Sequence, residues 1–307
     1  MKKTSRIIAL LLALMMCLTL CACNKDDTPP STSTDVNIQD IVESAAPEAE
    51  GEGEPETDPE PAEDDLAYVT GNGKLIIGYT VYEPMNYTDE NGEFTGFDTE
   101  LAKAVCEKLG LEPEFVIINW DTKEVALAAK DIDCIWNGMT LNADREANMA
   151  CTVPYVKNAQ VVVVKEGFEY TDTSSLIGGV VCAEIGSAGE LLIKGDEETE
   201  PDANLAQAEY AGKSVQTDCL MEVKANTADA AVLDLTLAKS MTGEGTDYAD
   251  LVIVDYLAEE NYGVAFRQGS NIRDEVNSIF AELLEDGTLQ ALADKYSLEL
   301  ADTEAAA

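Results

Sequence analysis

The chain has 307 residues, with 60 Asp and Glu against 19 Lys and Arg, no His, and a formal charge of −41. That balance argues against a nucleic-acid binder, which needs a basic face to neutralise phosphates, and the missing histidine excludes Ser-His-Asp and Cys-His catalysis, HExxH zinc sites and any histidine base. Hydrophobic residues make up 46% of the chain, enough for a solid core, so disorder throughout is not expected.

In chain order, Lys2, Lys3 and Arg6 precede an apolar run from Ile7 to Cys23, the charged and hydrophobic regions of a secretory signal. The run is short for a membrane-spanning helix. Its end, Leu20-Cys21-Ala22-Cys23, resembles a bacterial lipobox. That resemblance implies cleavage of residues 1–22, lipid on the Cys23 sulfur and a place on the extracellular face of the cytoplasmic membrane; a plain signal peptide or an uncleaved anchor is the alternative. Residues 23–71 are rich in Asp, Glu, Pro, Ser, Thr and Ala and poor in large apolar side chains. Such a segment cannot bury enough surface to offset its ordering entropy, so a disordered tether is expected, with an acidic interaction tail as the rival.

From Lys74 short apolar strands alternate with helical segments: Leu75 to Tyr79, Glu114 to Ile118, Cys134 to Trp136, Val161 to Val164, Val180 to Cys182 and Ala230 to Leu233. This alternation predicts parallel α/β sheets. Thr88-Asp89-Glu90-Asn91-Gly92 signals a hairpin turn, and its spacing fails the calcium-loop pattern. Asp98 is placed to cap a first helix whose apolar face is Leu101, Val105 and Leu109, and Gly110 and Pro113 stop it. A last long helix carries Ile272, Val276, Ile279 and Leu283 on one stripe and ends at Gly287, before a shorter helix through Leu292. Cys106, Cys134, Cys151, Cys182 and Cys219 are odd in number and form no CxxC pair, so buried free thiols are expected rather than a disulfide framework.

Ligands of open α/β sheets bind beyond the carboxyl ends of the strands. That rule gathers Tyr79 and Tyr82 after the first strand, Trp120 after the second, Gly138, Met139 and Thr140 at the third, Gly186 and Ser187 after a later one, and Asp234. Arg145 follows closely, near a predicted helix start, where anions are favoured. Singly, Arg145 also fits a surface ion pair, Asp234 a helix cap, and the aromatic rings core packing.

Taken in order, Gly78-Tyr-Thr-Val-Tyr-Glu-Pro-Met-Asn-Tyr87, Gly96-Phe-Asp-Thr-Glu-Leu-Ala102, Gly138-Met-Thr-Leu-Asn-Ala-Asp-Arg145, Pro154-Tyr155, Asp229-Ala-Ala-Val-Leu-Asp234, Tyr262-Gly-Val-Ala-Phe266 and Asp286-Gly287 resemble the extracellular solute-binding proteins of polar amino-acid ABC importers. The resemblance covers about residues 72 to 300. It implies a two-lobed α/β fold of the type II periplasmic-binding kind, with hinge crossings near 157–161 and 257–261. Lobe one would take 72–158 and 261–300, lobe two 159–260, and 301–307 would be a disordered tail.

Carried onto matching positions, the family pattern pairs Arg145 and Thr140 with a ligand α-carboxylate, the Gly138 carbonyl and Asp234 with its α-ammonium, and Tyr82 and Trp120 with its side chain. Tyr155 is expected to be structural. Gly186-Ser187 resembles a loop that binds the carboxylate through backbone amides, although Ala188 replaces the usual second hydroxyl residue. The family's cation binders carry an acid near position 79 or 80, where this chain has Tyr79 and Thr80, so a neutral polar amino acid is the expected ligand. Glu184 would admit a basic or amide side chain if it faces the cleft. Expected partners are the amino acid, an ABC permease and the membrane through Cys23, with the chain a monomer and no cofactor, metal or nucleic acid. A same-fold enzyme, a dehydratase or lyase using Glu184 or Asp234 as acid or base, and a ligand-sensing receptor domain are the alternatives.

Overall fold

The computed structural model describes residues 64–197 and 199–302. The secretory signal, Cys23 and the tether as far as residue 63 lie outside the described residues. Helix α1 (Asp65–Asn72) stands where the end of the tether was expected. Its acidic residues are structural: the Asp64 carboxylate accepts from the Ala67 amide, and buried Asp65 pairs with Arg267 at 2.7 Å while Val69 enters the core.

Next come β1 (Lys74–Tyr79), the short hairpin β2 (Tyr87–Thr88) and β3 (Phe94–Thr95), α2 (Phe97–Leu109) and β4 (Glu112–Ile117). They are followed by α3 (Lys123–Ala128), β5 (Cys134–Thr140), α4 (Ala143–Asn148), β6 (Ala150–Cys151) and the long β7 (Val156–Lys165). Then β8 (Val180–Glu184), α5 (Ala188–Lys194), β9 (Glu209–Lys213), α6 (Gln216–Ala225), β10 (Ala230–Asp234) and α7 (Leu235–Met241) lead to β11 (Leu251–Phe266), α8 (Ile272–Glu285) and α9 (Thr288–Lys295). Every residue of β5 and β10 is buried, which is why Cys134 to Trp136 and Ala230 to Leu233 read as continuous apolar runs. The predicted hairpin turn is present, with the Asp89 carboxylate accepting from the Asn91 and Glu93 amides.

The main sheet has the order β4-β1-β5-β11-β7-β10-β8-β9, with β6 paired to β11. Strands β4, β1 and β5 are mutually parallel, as are β10, β8 and β9, so the parallel expectation holds within each half. Between them β7 and β11 run antiparallel, because a chain that passes from one half to the other and returns must reverse direction. Their register sets Asn158 opposite Glu260 and Gln160 opposite Ala258, and β10 sets Asp234 opposite Gln160. Register shifts interrupt β11 between Ile253 and Asp255 and between Tyr256 and Ala258.

Helix α2 starts at Phe97 after Gly96, so Asp98 is not its cap. Its buried carboxylate instead accepts from the Gly138 amide at 2.6 Å and the Tyr155 hydroxyl at 2.8 Å, tying the helix to the sheet. Residues 301 and 302, assigned to a loose tail, are held: the Ala301 amide donates to the Tyr155 carbonyl, and Asp302 lies 3.4 Å from Lys157. The five thiols are free, and all but Cys151 are buried. Among the described residues no helix is long and apolar enough to cross a membrane.

Candidate functional site

The carboxyl ends of β1, β5, β8 and β10 converge on a small cavity of about 10 Å³, room for about one water. Its walls include Tyr82, Trp120, Gly138, Thr140, Arg145, Glu184, Ser187 and Asp234. Tyr79, Met139 and Gly186 are not among the lining residues: the Tyr79 ring packs on Phe94 and Phe115, with centroids 4.9 and 6.1 Å away, and Met139 is buried in a core cluster.

Gly138 has φ +55°, and a Cβ there would lie 2.8 Å from the Tyr82 ring, so glycine lets β5 and that ring share the wall. Four residues on, the Asn142 side chain caps α4 by accepting from the Arg145 amide at 2.9 Å. The cap turns Arg145 inward, where it is 4% exposed. Its guanidinium donates to the Thr140 carbonyl at 2.7 Å and to the Gly186 carbonyl at 3.2 Å. Three of its five N–H groups remain, and among the described residues no carboxylate stands within ion-pair distance. Burial lowers the Arg145 pKa against the more distant pull of Glu260 and Asp234. A second buried cation, Lys123, donates to the Trp120 and Gly186 carbonyls and lies 4.9 Å from the Trp120 ring centroid. Burial, then the Arg145 charge, brings its pKa down to about 8.

Facing these cations are three carboxyl groups. Asp234 occupies the N-cap position of α7 without capping it. Its carboxylate accepts from Asn158 at 2.9 Å, Gln160 at 2.5 Å and also Gln216. Glu260 accepts on one oxygen from the Thr140 hydroxyl at 2.8 Å and from the same Asn158 and Gln160 amides at 2.6 and 3.0 Å. Burial and the Asp234 charge push the Glu260 carboxyl up to about 8, and burial raises Asp234 as well. Glu184 is 4% exposed, and its buried Oε1 has no hydrogen-bond partner. Burial, then Asp234, raises its pKa to about 8, with Lys123 and Arg145 pulling the other way.

Hydroxyls close the remaining wall. Tyr82 bonds both Thr236 and Tyr262, which bond each other at 3.0 Å. Ser187 caps α5 by accepting from the Glu190 amide, and Glu190 accepts from the Gly186 amide at 2.7 Å. Sequence reasoning missed Glu260, Asn158, Gln160 and Lys123. The crossing-strand register makes the first three neighbours, and nothing in a single sequence announces that register. Lys123 sits one turn after Trp120, a weak signal in a chain with many exposed lysines.

A larger open groove of about 630 Å³ lies beside α1, lined by Asp65, Glu124, Lys130 and Arg267 among others. Its arginine is already spent on Asp65 and Asp133, whereas the cleft holds buried charge without a counter-ion. The cleft is therefore the candidate site despite its smaller volume. Among the described residues, no group of three or more His, Cys, Asp and Glu is placed to hold a metal.

A profile of the bacterial extracellular solute-binding proteins, family 3, matches residues 75–299. The arginine-binding extracellular protein ArtP of Bacillus subtilis is 30% identical over 74% of this chain and 87% of its own. The crystal structure of the P235GK mutant of ArgBP from T. maritima superposes with a TM-score of 0.67 at 30% identity, covering 76% of this chain and 98% of that one. A histidine-bound ABC uptake transporter substrate-binding protein from Streptococcus pneumoniae gives 0.67 at 26%, covering 76% and 96%. With three quarters of its length matched in sequence and in backbone, the chain belongs to the bacterial extracellular solute-binding proteins, family 3.

Proposed function

We propose that the chain is the capture subunit of an ABC importer, tethered through lipid on Cys23 to the outer face of the cytoplasmic membrane, that closes on an amino acid with a cationic side chain and hands it to a permease. Residues 72–158 and 261–300 form one lobe and 159–260 the other, with β7 and β11 as the hinge. One observation carries the reading: Arg145 is buried with N–H groups to spare and no carboxylate partner among the described residues, the condition of a group built for an anion it does not yet touch. Arg145 and the Thr140 hydroxyl take the α-carboxylate, and the Ser187 segment borders it. Asp234 and the Gly138 carbonyl take the α-ammonium. Tyr82 and Trp120 flank the side chain.

The charge of that side chain follows from the balance of the cleft. Glu184, Asp234 and Glu260 set three acidic groups against Arg145 and Lys123, so an amino acid with one extra positive charge leaves the closed site neutral. Glu184, with a buried oxygen lacking a partner, is the natural counter-ion. This moves the reading from a neutral polar ligand toward a basic one, and the arginine-binding relatives are in keeping with it. Binding without turnover is the favoured activity, since each acidic group has a charge to hold.

Calorimetric titration of L-arginine into wild type and Arg145→Ala tests the site. Truncation should weaken binding by about 2–5 kcal/mol, because the ligand carboxylate would be left unpaired in a closed cleft. Equal affinities would refute the assignment.

A further inference from the structure

The side chains of Asn158 and Gln160, both on β7, each donate to two carboxylates at once: Asp234 on β10 and Glu260 on β11. One nitrogen lying within about 3 Å of an oxygen from each acid brings the two acids together, with Asp234 in the cleft wall and Glu260 behind it. Glu260 also holds the Thr140 hydroxyl at 2.8 Å, so it touches groups on both sides of the crossing strands. The Arg145 charge on α4 acts on both acids, but among the described residues its guanidinium hydrogen-bonds neither of them. The other titratable groups around the pair are Tyr82 after β1, Tyr262 on β11 and, acting on Asp234, Glu184 on β8. Two buried carboxylates this close without a cation between them favour a shared proton.

We propose that Glu260 is a positioning residue for ligand capture, sharing one proton with Asp234 across the crossing strands and releasing it to solvent when the ligand's positive charge arrives. The inference rests on the reading of the cleft as an amino-acid site. Before capture the pair carries one carboxylate and one carboxylic acid. Afterwards both are carboxylates, the proton is in bulk water, and the ligand ammonium remains protonated beside Asp234. The ligand thus replaces the proton as the positive charge of the hinge. The burial that raises both acids supports the exchange at neutral pH.

The test is calorimetry of the full chain with L-arginine, L-lysine and L-glutamine at pH 7, in two buffers of different ionisation enthalpy. Up to about two protons should leave per cationic ligand bound at pH 7, one from the Asp234–Glu260 pair and one from Glu184 as it becomes the counter-ion of the side chain, and affinity should rise with pH between about 6 and 7.5. Glu260→Gln, which keeps the shape and an acceptor oxygen, should remove the pair's proton and Glu184→Gln the other, so that each variant releases about one proton fewer than wild type. Wild-type binding without proton release overturns the inference and leaves the amino-acid site standing. Release undiminished in Glu260→Gln and lost altogether in Glu184→Gln assigns all of it to Glu184 and also overturns the inference. Binding of none of the three amino acids removes the site reading and this inference with it.

Discussion

Arg145 and Glu184 present one physical situation with opposite signs: a charged group taken out of water and left short of partners. Desolvation is then uncompensated, and for Glu184 it appears as a carboxyl raised to about 8 from an ordinary 4.5. The sign of the linkage is definite. Between about pH 4.5 and 8 the folded chain keeps a proton that the unfolded chain has lost, so this group's contribution to stability declines as pH rises through that window. Glu184→Gln should therefore stabilise the unliganded protein at pH 8 relative to wild type, on the order of a few kcal/mol, and change it little at pH 4. Chemical denaturation of both proteins at the two pH values measures this. The same substitution should erase any preference for L-arginine over L-glutamine. Most of these residues were legible in the sequence because spacing tied them together, as in Gly138, Thr140 and Arg145. Tyr79 was misplaced because strand alternation turns its ring toward Phe94 and Phe115, and Glu260 was hidden in an acid-rich stretch where another glutamate carries no signal.

Among the elements, those with uninterrupted apolar runs were readable, and the strand that breaks period two was not. β11 carries two register shifts against β7 and a third against β5, together with Asp255, Glu259 and Glu260, so its hydrophobic pattern dissolves where it crosses between the sheet halves. Helix α1 was masked by composition, since the acids that cap and anchor it are indistinguishable in sequence from those of the tether before it. At the end of β5 the local geometry is exacting: Gly138 combines a left-handed backbone with a ring 2.8 Å from where a Cβ would stand. Gly138→Ala should destabilise the fold by about 1–3 kcal/mol and displace Tyr82, weakening ligand binding as well. Thermal unfolding and titration of that single variant check both effects, and an unchanged midpoint would show that β5 yields easily.

For the molecule as a whole, function follows from how two parallel sheet halves meet. β7 and β11 bring Asn158, Gln160 and Glu260 to the seam, while Arg145 on one side and Glu184 and Asp234 on the other face a common cavity. Contacts such as Tyr82 with Thr236 and Arg145 with the Gly186 carbonyl join residues that the sequence keeps far apart, and such contacts are replaceable by a ligand carrying its own charges. Alternating strands and helices, the order of short motifs and the glycine-bounded turns made the two-lobed architecture readable from sequence. The register of the seam, which decides which polar groups become neighbours, is a tertiary property and was not. The claim that this seam captures a cationic amino acid is tested most directly by thermal unfolding of the chain with each of the common amino acids in turn. At about 100 times its Kd a ligand adds about 2.7 kcal/mol, a rise of roughly 5 to 10 °C for a domain of this size. A rise confined to L-arginine, L-lysine or both is the expected result; a rise only with neutral or acidic amino acids, or with none, would contradict it.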